Sequence, residues 1–301
     1  MAINEEKLKI WSNAPPSTKT QFTHSEIRKA LEKSDALKGV NYEVYLQGSY
    51  ANSTNTKIDS DVDVVVQLNS TFSPDTSKLS LTDKQAFNQA YPTNATYLWS
   101  HFHRDVLNAL TSYFGSTSVK AGTKSIKILG NASRVNADVV PCLQHKSFSS
   151  FNTWNPHDFV EGIKFWTNDA LSKEIINFPR IHITNGEAKN HTSRTQEKYK
   201  HLVRIIKNIR RQLVENHSFD PKVAPSYFVE CIVYNVPDVH FQNNYKEGLE
   251  YVINHILNEC TPQNMVTVSH QHILFGTEPW QWNQADASIF FNAVNDYYLN
   301  N

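Results

Sequence analysis

The sequence predicts an α+β fold: a first half whose strands form a mixed sheet with helices, followed by a second half that is helical. Three observations predict it. Valine-rich segments interleaved with acids, Asp61-Val62-Asp63-Val64-Val65-Val66 and Asn136-Ala137-Asp138-Val139-Val140, read as strands. After about residue 190 the apolar spacing becomes helical, most strongly over Lys198–Val214. No Gly/Ser-rich or Pro-rich stretch divides the chain, so the halves are expected to join without a flexible linker. Residues 1–190 then form a core with an N-terminal bridging helix, and residues 191–301 a helical lobe.

In chain order, residues 1–16 read as a polar lead-in ending at Pro15-Pro16. Thr23-His24-Ser25-Glu26 has capping-box spacing, and Ile27, Ala30 and Leu31 give a helical stripe that ends by about Gly39, although the helix could start nearer Ser17. Glu43–Leu46 reads as a short strand entering a turn at Gly48, and residues 61–68 as a second strand. Residues 69–94 are rich in Ser, Thr and Pro and read as loop, with one helical turn near 83–90. Leu98, Phe102, Val106, Leu110 and Tyr113 fit an amphipathic helix over Tyr97–Phe114, closed by Gly115. Further strands are predicted at Val119, at 125–129 and at 133–140, the last stopped by Pro141. Residues 143–158 look irregular, and 159–185 mixed strand and turn. Besides Lys198–Val214, helices are predicted over 225–235, 246–258 and 286–299.

Composition narrows the function classes. The chain of 301 residues has 40% hydrophobic and 12% aromatic content, enough for a sizeable core. With 29 basic and 29 acidic residues it has no large field to attract long nucleic acid or an anionic membrane, so any phosphate-binding surface is local. Cys142, Cys231 and Cys260 show no CxxC spacing, which argues against a disulfide framework or zinc ribbon and for a reducing, cytoplasmic setting. The N-terminus does not read as a signal peptide, and no apolar run approaches membrane-spanning length.

The chemistry concentrates at Gly48-Ser49 and the acids that follow. On a strand, Asp61 and Asp63 project from one face while Val62, Val64 and Val66 line the other. Two carboxylates so placed repel each other unless a cation sits between them. Alone, this spacing fits a solvated strand face equally well. The preceding Gly-Ser turn adds backbone N–H groups and a hydroxyl suited to phosphate, and Asp138 on a separate strand supplies a third carboxylate for phosphoryl transfer with two metal ions. Asp59 reads as a loop or capping acid.

The run Gly48-Ser49-Tyr50, Asp61-Val62-Asp63-Val64 and Asp138-Val139-Val140 resembles the polymerase-β-type nucleotidyltransferase signature. The fuller string Val44–Asn55 with Asp59–Leu68 is similar to the bacterial CD-NTases of anti-phage CBASS systems, within them clade E. Asn177-Phe178-Pro179-Arg180-Ile181-His182, Asn185–Asn190 and Ala224–Cys231 agree with that clade, so the likeness spans nearly the whole chain. The resemblance implies a polymerase-β-type core whose nucleotide cleft is closed by the helical lobe. It implies that Gln47, Gly48 and Ser49 bind the donor triphosphate, and that Asp61 and Asp63 hold two Mg²⁺ ions, for which Mn²⁺ can substitute. Asp138 would join one ion and help deprotonate an attacking 3′-hydroxyl. Lys207 and Ser226 would contact phosphate and Tyr227 would stack on a base. Asn177 would read uracil through its paired donor and acceptor.

The implied activity is template-independent synthesis of cyclic UMP-AMP or cyclic di-UMP from UTP and ATP by a monomer, with the product read by an effector protein in antiviral defence. Residues Lys200, Arg204, Lys207 and Arg211 also form a basic stripe on the helix, which as a bare pattern reads equally as a solvated face. The animal DNA-sensing relative carries a zinc ribbon and this sequence does not, so no nucleic-acid activator is expected. His270-Gln271-His272 lacks an acidic or Cys partner, and the scattered His145, His157, His182 and His191 follow no ligand spacing. A tRNA- or drug-modifying nucleotidyltransferase and a non-catalytic nucleotide-binding protein are the competing readings.

Overall fold

Val62, Val64, Val66 and Leu68 are fully buried on one face of a long strand, and a seven-stranded mixed sheet is built around them. The computed structural model describes residues 2–56, 61–152, 154, 158–216, 219–241 and 244–301. Asp59 and His157 lie outside the described residues. The strands are β1 (Tyr42–Gln47), β2 (Val62–Asp75), β3 (Val119–Ala121), β4 (Ile126–Ile128), β5 (Ala137–Phe148), β6 (Phe159–Trp166) and β7 (Glu174–Asn177). The helices are α1 (Glu5–Ser12), α2 (Thr18–Glu32), α3 (Gly48–Ala51), α4 (Leu81–Ala90), α5 (Trp99–Phe114), α6 (Pro179–Asn190), α7 (Thr192–Thr195), α8 (Lys198–Glu215), α9 (Ser226–Tyr234), α10 (Tyr245–Asn254) and α11 (Gln284–Asn300).

The sheet runs β1-β2-β5-β4-β3, with β6 and then β7 added beside the far half of β5. Only β2 and β5 pair in parallel; the other pairs are antiparallel. Two strands outrun their predicted ends. β2 continues past Leu68 through a register shift between Leu68 and Phe72. β5 continues through Pro141, which was expected to stop it. On the side away from β2, β4 pairs only as far as Val139 and β6 begins at Leu143. Pro141 falls in that gap, and its carbonyl accepts from Trp99 Nε1 at 2.8 Å. Because N and C=O of one strand residue face the same side, the missing N–H breaks no ladder bond.

The predicted amphipathic helix forms as α5, with Phe102, Val106 and Leu110 buried and Gly115 ending it at φ 86°. Each of those side chains contributes about 1.5–3 kcal/mol by leaving water. Residue Thr23 does not cap a helix. It lies inside α2, where its hydroxyl donates to the Lys19 carbonyl at 2.7 Å and accepts from the Val135 N–H at 3.0 Å. The lead-in contains α1, capped by Asn4, and residues 179–185, expected as strand and turn, open the helix Pro179–Asn190.

The expected cut between residues 190 and 191 is not where the chain divides. It separates into two compact units, one of Ser17–Gly48 and Asp59–Arg180, the other of Met1–Pro16, Ser49–Ile58 and Ile181–Asn301. The N-terminal helix α1 thus belongs with the helical unit, because Ile3 and Leu8 enter the core made by α8, α9, α10 and α11. The sheet unit has its own core at Val65, Val140, Cys142, Ile163 and Phe165. Among the described residues no helix is long and apolar enough to cross a membrane.

Candidate active site

The three predicted carboxylates come from the edges of two adjacent strands. In the β2–β5 register Asp63 stands beside Asp138, and across β1 it stands opposite Gln47. Residues aligned across neighbouring strands share a face, so Asp63 and Asp138 project together, away from the buried Val62 and Val64. Asp61 precedes the strand on the same side and is exposed. Two neighbours fix the outer acids: Asn136 Nδ2 donates to Asp61 Oδ1 at 2.9 Å, and the Ser125 hydroxyl to Asp138 Oδ1 at 2.8 Å.

Burial, then the charge of Asp138, then that of Asp61, push the Asp63 pKa up to about 6. A carboxylate so placed gains by coordinating a dication, whose charge offsets both the repulsion and the lost hydration. The donor set is all oxygen, which suits a hard divalent ion. On both counts the residues present fit the metal that the pattern implied.

The turn before these acids sits directly on them. Gly48 has φ +66°, and a Cβ placed on it would lie 2.3 Å from Asp63 Oδ2. Glycine is therefore required twice over, by backbone conformation and by space. The base- and phosphate-binding candidates are more dispersed. Asn177 ends β7 as an exposed residue paired in register with Ile163, and no other described residue hydrogen-bonds its amide. Gly162 makes room for this corner, since a Cβ there would meet the Asn177 carbonyl at 2.8 Å.

In the helical unit Ser226 opens α9 as an exposed residue, and Tyr227 presents part of its ring beside His182, with centroids 5.5 Å apart. Burial, with Cys231 nearby, pushes the Tyr227 hydroxyl pKa up.

The chain matches the family models of a nucleotidyltransferase domain over residues 24–148 and of the cGAS/DncV-like nucleotidyltransferase C-terminal helical domain over residues 184–299. It is 38% identical to the cyclic UMP-AMP synthase of Rhodothermus marinus over 99% of this chain and 98% of that protein. It is also 37% identical to the cyclic dipurine nucleotide synthase of Elizabethkingia meningoseptica over 84% of each. The chain is a cGAS/DncV-like nucleotidyltransferase. The solved structure of the Rhodothermus marinus CdnE c-UMP-AMP synthase with Apcpp and Upnpp superposes with a TM-score of 0.87 at 36% identity, over 99% of this chain and 97% of that one.

Within this nucleotidyltransferase the basic stripe on α8 is buried at three of its four residues, and Arg211 is half-buried. Lys200, Arg204 and Lys207 are each only 5% exposed. Lys200 pairs with Glu187, and Arg204 donates to the carbonyls of Ser12 and Ser53. Lys207 pairs with Glu230 and reaches Thr54 Oγ1 at 3.1 Å. The Lys207 ammonium is thus committed to protein partners. Glu230, absent from the sequence-derived set, is the hub: it accepts from Thr54 Oγ1 at 2.7 Å and Asn52 Nδ2 at 2.9 Å, with His182 Nε2 at 3.1 Å. Burial works to raise its pKa, yet Lys207 and His182 together hold it well below the usual carboxylate range. The effect is to pin the segment that follows Gly48-Ser49. The available sequence signal was a lone acid within Phe228-Val229-Glu230-Cys231-Ile232-Val233, an apolar helical run that cannot bury a charge without partners. Lys127, opposite Asp138 on β4, and Ser125 were likewise missed.

Proposed function

We propose that this nucleotidyltransferase joins UTP with ATP, or two molecules of UTP, into a cyclic dinucleotide without a template. The observation that carries the reading is the strand register that sets Asp63 beside Asp138 under the Gly48 turn, together with the family membership. The 3′-oxygen of one nucleotide attacks the α-phosphorus of the other, pyrophosphate leaves, and a second round closes the ring. Asp61, Asp63 and Asp138 would hold two Mg²⁺ ions, for which Mn²⁺ can substitute, and the bound ions supply charge stabilisation at the transferred phosphoryl group. The remaining work is positioning. Gln47, Gly48 and Ser49 orient the donor triphosphate, Asp138 takes up the proton of the attacking hydroxyl, Ser226 adds a phosphate donor and Tyr227 a stacking face. Lys207 contacts the triphosphate only if it leaves Glu230.

Uridine selection is assigned to Asn177, whose amide matches the O4/N3–H edge of uracil. Overall identity does not decide the base, since the dipurine synthase is nearly as similar as the UMP-AMP synthase. The product would act as a second messenger in cytoplasmic anti-phage defence, read by an effector protein, and the enzyme would work as a monomer. The test is incubation with the four NTPs and Mg²⁺ or Mn²⁺, with phosphatase-resistant products identified by mass spectrometry. A uridine-containing cyclic product is expected, and no resistant product with any NTP mixture would overturn the reading. Replacing Asn177 by Ser is expected to shift the product away from uridine; an unchanged product would remove the assignment of Asn177.

A further inference from the structure

Away from the three carboxylates, two imidazoles and a carboxylate converge beside α10. His240 lies in the 3₁₀ turn Asp238–Phe241 that precedes this helix, and His255 and Glu259 belong to the π-helical turn His255–Glu259 that follows it. One ligand atom from each lies within 4.8 Å of the other two, and this is the one such group of three among the described residues. The π-turn, closed by Cys260 N–H to the His255 carbonyl at 2.9 Å, brings Glu259 Oε2 to 3.1 Å from His255 Nδ1. His240 is oriented by stacking on Tyr251, with centroids 5.7 Å apart, and Asn254 Nδ2 holds the other Glu259 oxygen at 2.7 Å. The nearby Lys189 ammonium is engaged by Asp238 at 2.6 Å, so it is not an unpaired positive charge facing the group.

We infer that His240, His255 and Glu259 form a site for a borderline transition-metal dication, Zn²⁺ in the first instance. Tetrahedral coordination at about 2.0–2.2 Å asks its ligand atoms to stand roughly 3.3–3.5 Å apart. The observed group reaches that spacing with small side-chain adjustments. Two imidazoles with one carboxylate favour Zn²⁺, Co²⁺, Ni²⁺ or Cu²⁺ over Mg²⁺, so the site is chemically distinct from the all-oxygen triad. With three protein ligands, the fourth position is left to water. Because the ligands flank α10 on both sides, the ion ties the turn before this helix to the turn after it. The sequence hides the site: a histidine fifteen residues from its partner matches no ligand spacing.

The test uses the full chain stripped with EDTA and then given ZnCl₂ in millimolar Mg²⁺, so that the carboxylate triad is occupied by the harder ion. The expected result is one Zn²⁺ per chain retained through desalting, a melting temperature raised by roughly 5 °C at saturation, and visible absorption from tetrahedral nitrogen-ligated Co²⁺ when that probe replaces Zn²⁺. His240→Asn and His255→Asn should each weaken Zn²⁺ binding at least tenfold while the metal-free melting temperature stays at the wild-type value. Asp63→Asn should bind Zn²⁺ as wild type does. Zn²⁺ lost on desalting, binding unaltered in both His variants, or binding abolished in Asp63→Asn would each overturn the inference.

Discussion

Asp63 carries opposing demands: it is largely buried, faces two other carboxylates, and is held against the Gly48 backbone. Its pKa of about 6 in the fold against 3.8 ordinarily means that the native state binds more protons than the unfolded chain between those values. Stability of the metal-free protein therefore falls as pH rises through that window, by about 3 kcal/mol in total once Asp63 is fully ionised. Replacing Asp63 by Asn is expected to remove this cost and to abolish product formation. In EDTA the variant is expected to be more stable than wild type by about 1–3 kcal/mol at pH 8 and indistinguishable from it near pH 4, as read by urea denaturation. Equal stability at both pH values would contradict the charge crowding. Gly48→Ala tests the same contact from the other side. It forces a Cβ into a left-handed conformation and onto Asp63 Oδ2, and is expected to cost about 1–3 kcal/mol and to lower turnover at least a hundredfold. Wild-type turnover from that variant would mean the turn and the acid do not act together.

At the scale of elements, what the sequence revealed was what local periodicity encodes. The Val62/Val64/Val66 alternation made β2 visible, and Phe102, Val106 and Leu110 made α5 visible, because both patterns report one buried face. What stayed hidden depended on partners remote in sequence. Pro141 reads as a strand breaker, yet lies harmlessly in the gap between β4 and β6, and α8 reads as amphipathic while both its faces are buried. Burial of Lys200, Arg204 and Lys207 on α8 is tolerated because each of these three meets a specific acceptor, and only the fold shows that Glu230 serves Lys207. Removing one member of such a pair leaves the other buried and uncompensated. Glu230→Gln is expected to destabilise by about 3–5 kcal/mol, and the double change with Lys207→Met to recover most of that loss. Additive losses in the double-mutant cycle, measured by chemical denaturation, would show the pair is not coupled.

For the molecule as a whole, the balance of 29 basic and 29 acidic residues has a consequence for activation. Duplex DNA attracts proteins chiefly through unpaired cations that release its counterions, so binding requires a clustered basic surface rather than a neutral average. The one basic stripe singled out in the sequence lies on α8. In the fold Lys200, Arg204 and Lys207 are buried against Glu187, the Ser12 and Ser53 carbonyls, and Glu230, which withdraws them from any polyanion. A small triphosphate needs only a local site, whereas a duplex needs many contacts at once. Turnover is therefore expected to be the same with and without added duplex DNA at physiological salt, measured as product per unit time at saturating NTP and Mg²⁺. A several-fold rise that disappears at higher salt would reveal a basic surface elsewhere on the protein and would overturn the expectation that no nucleic acid activates this enzyme.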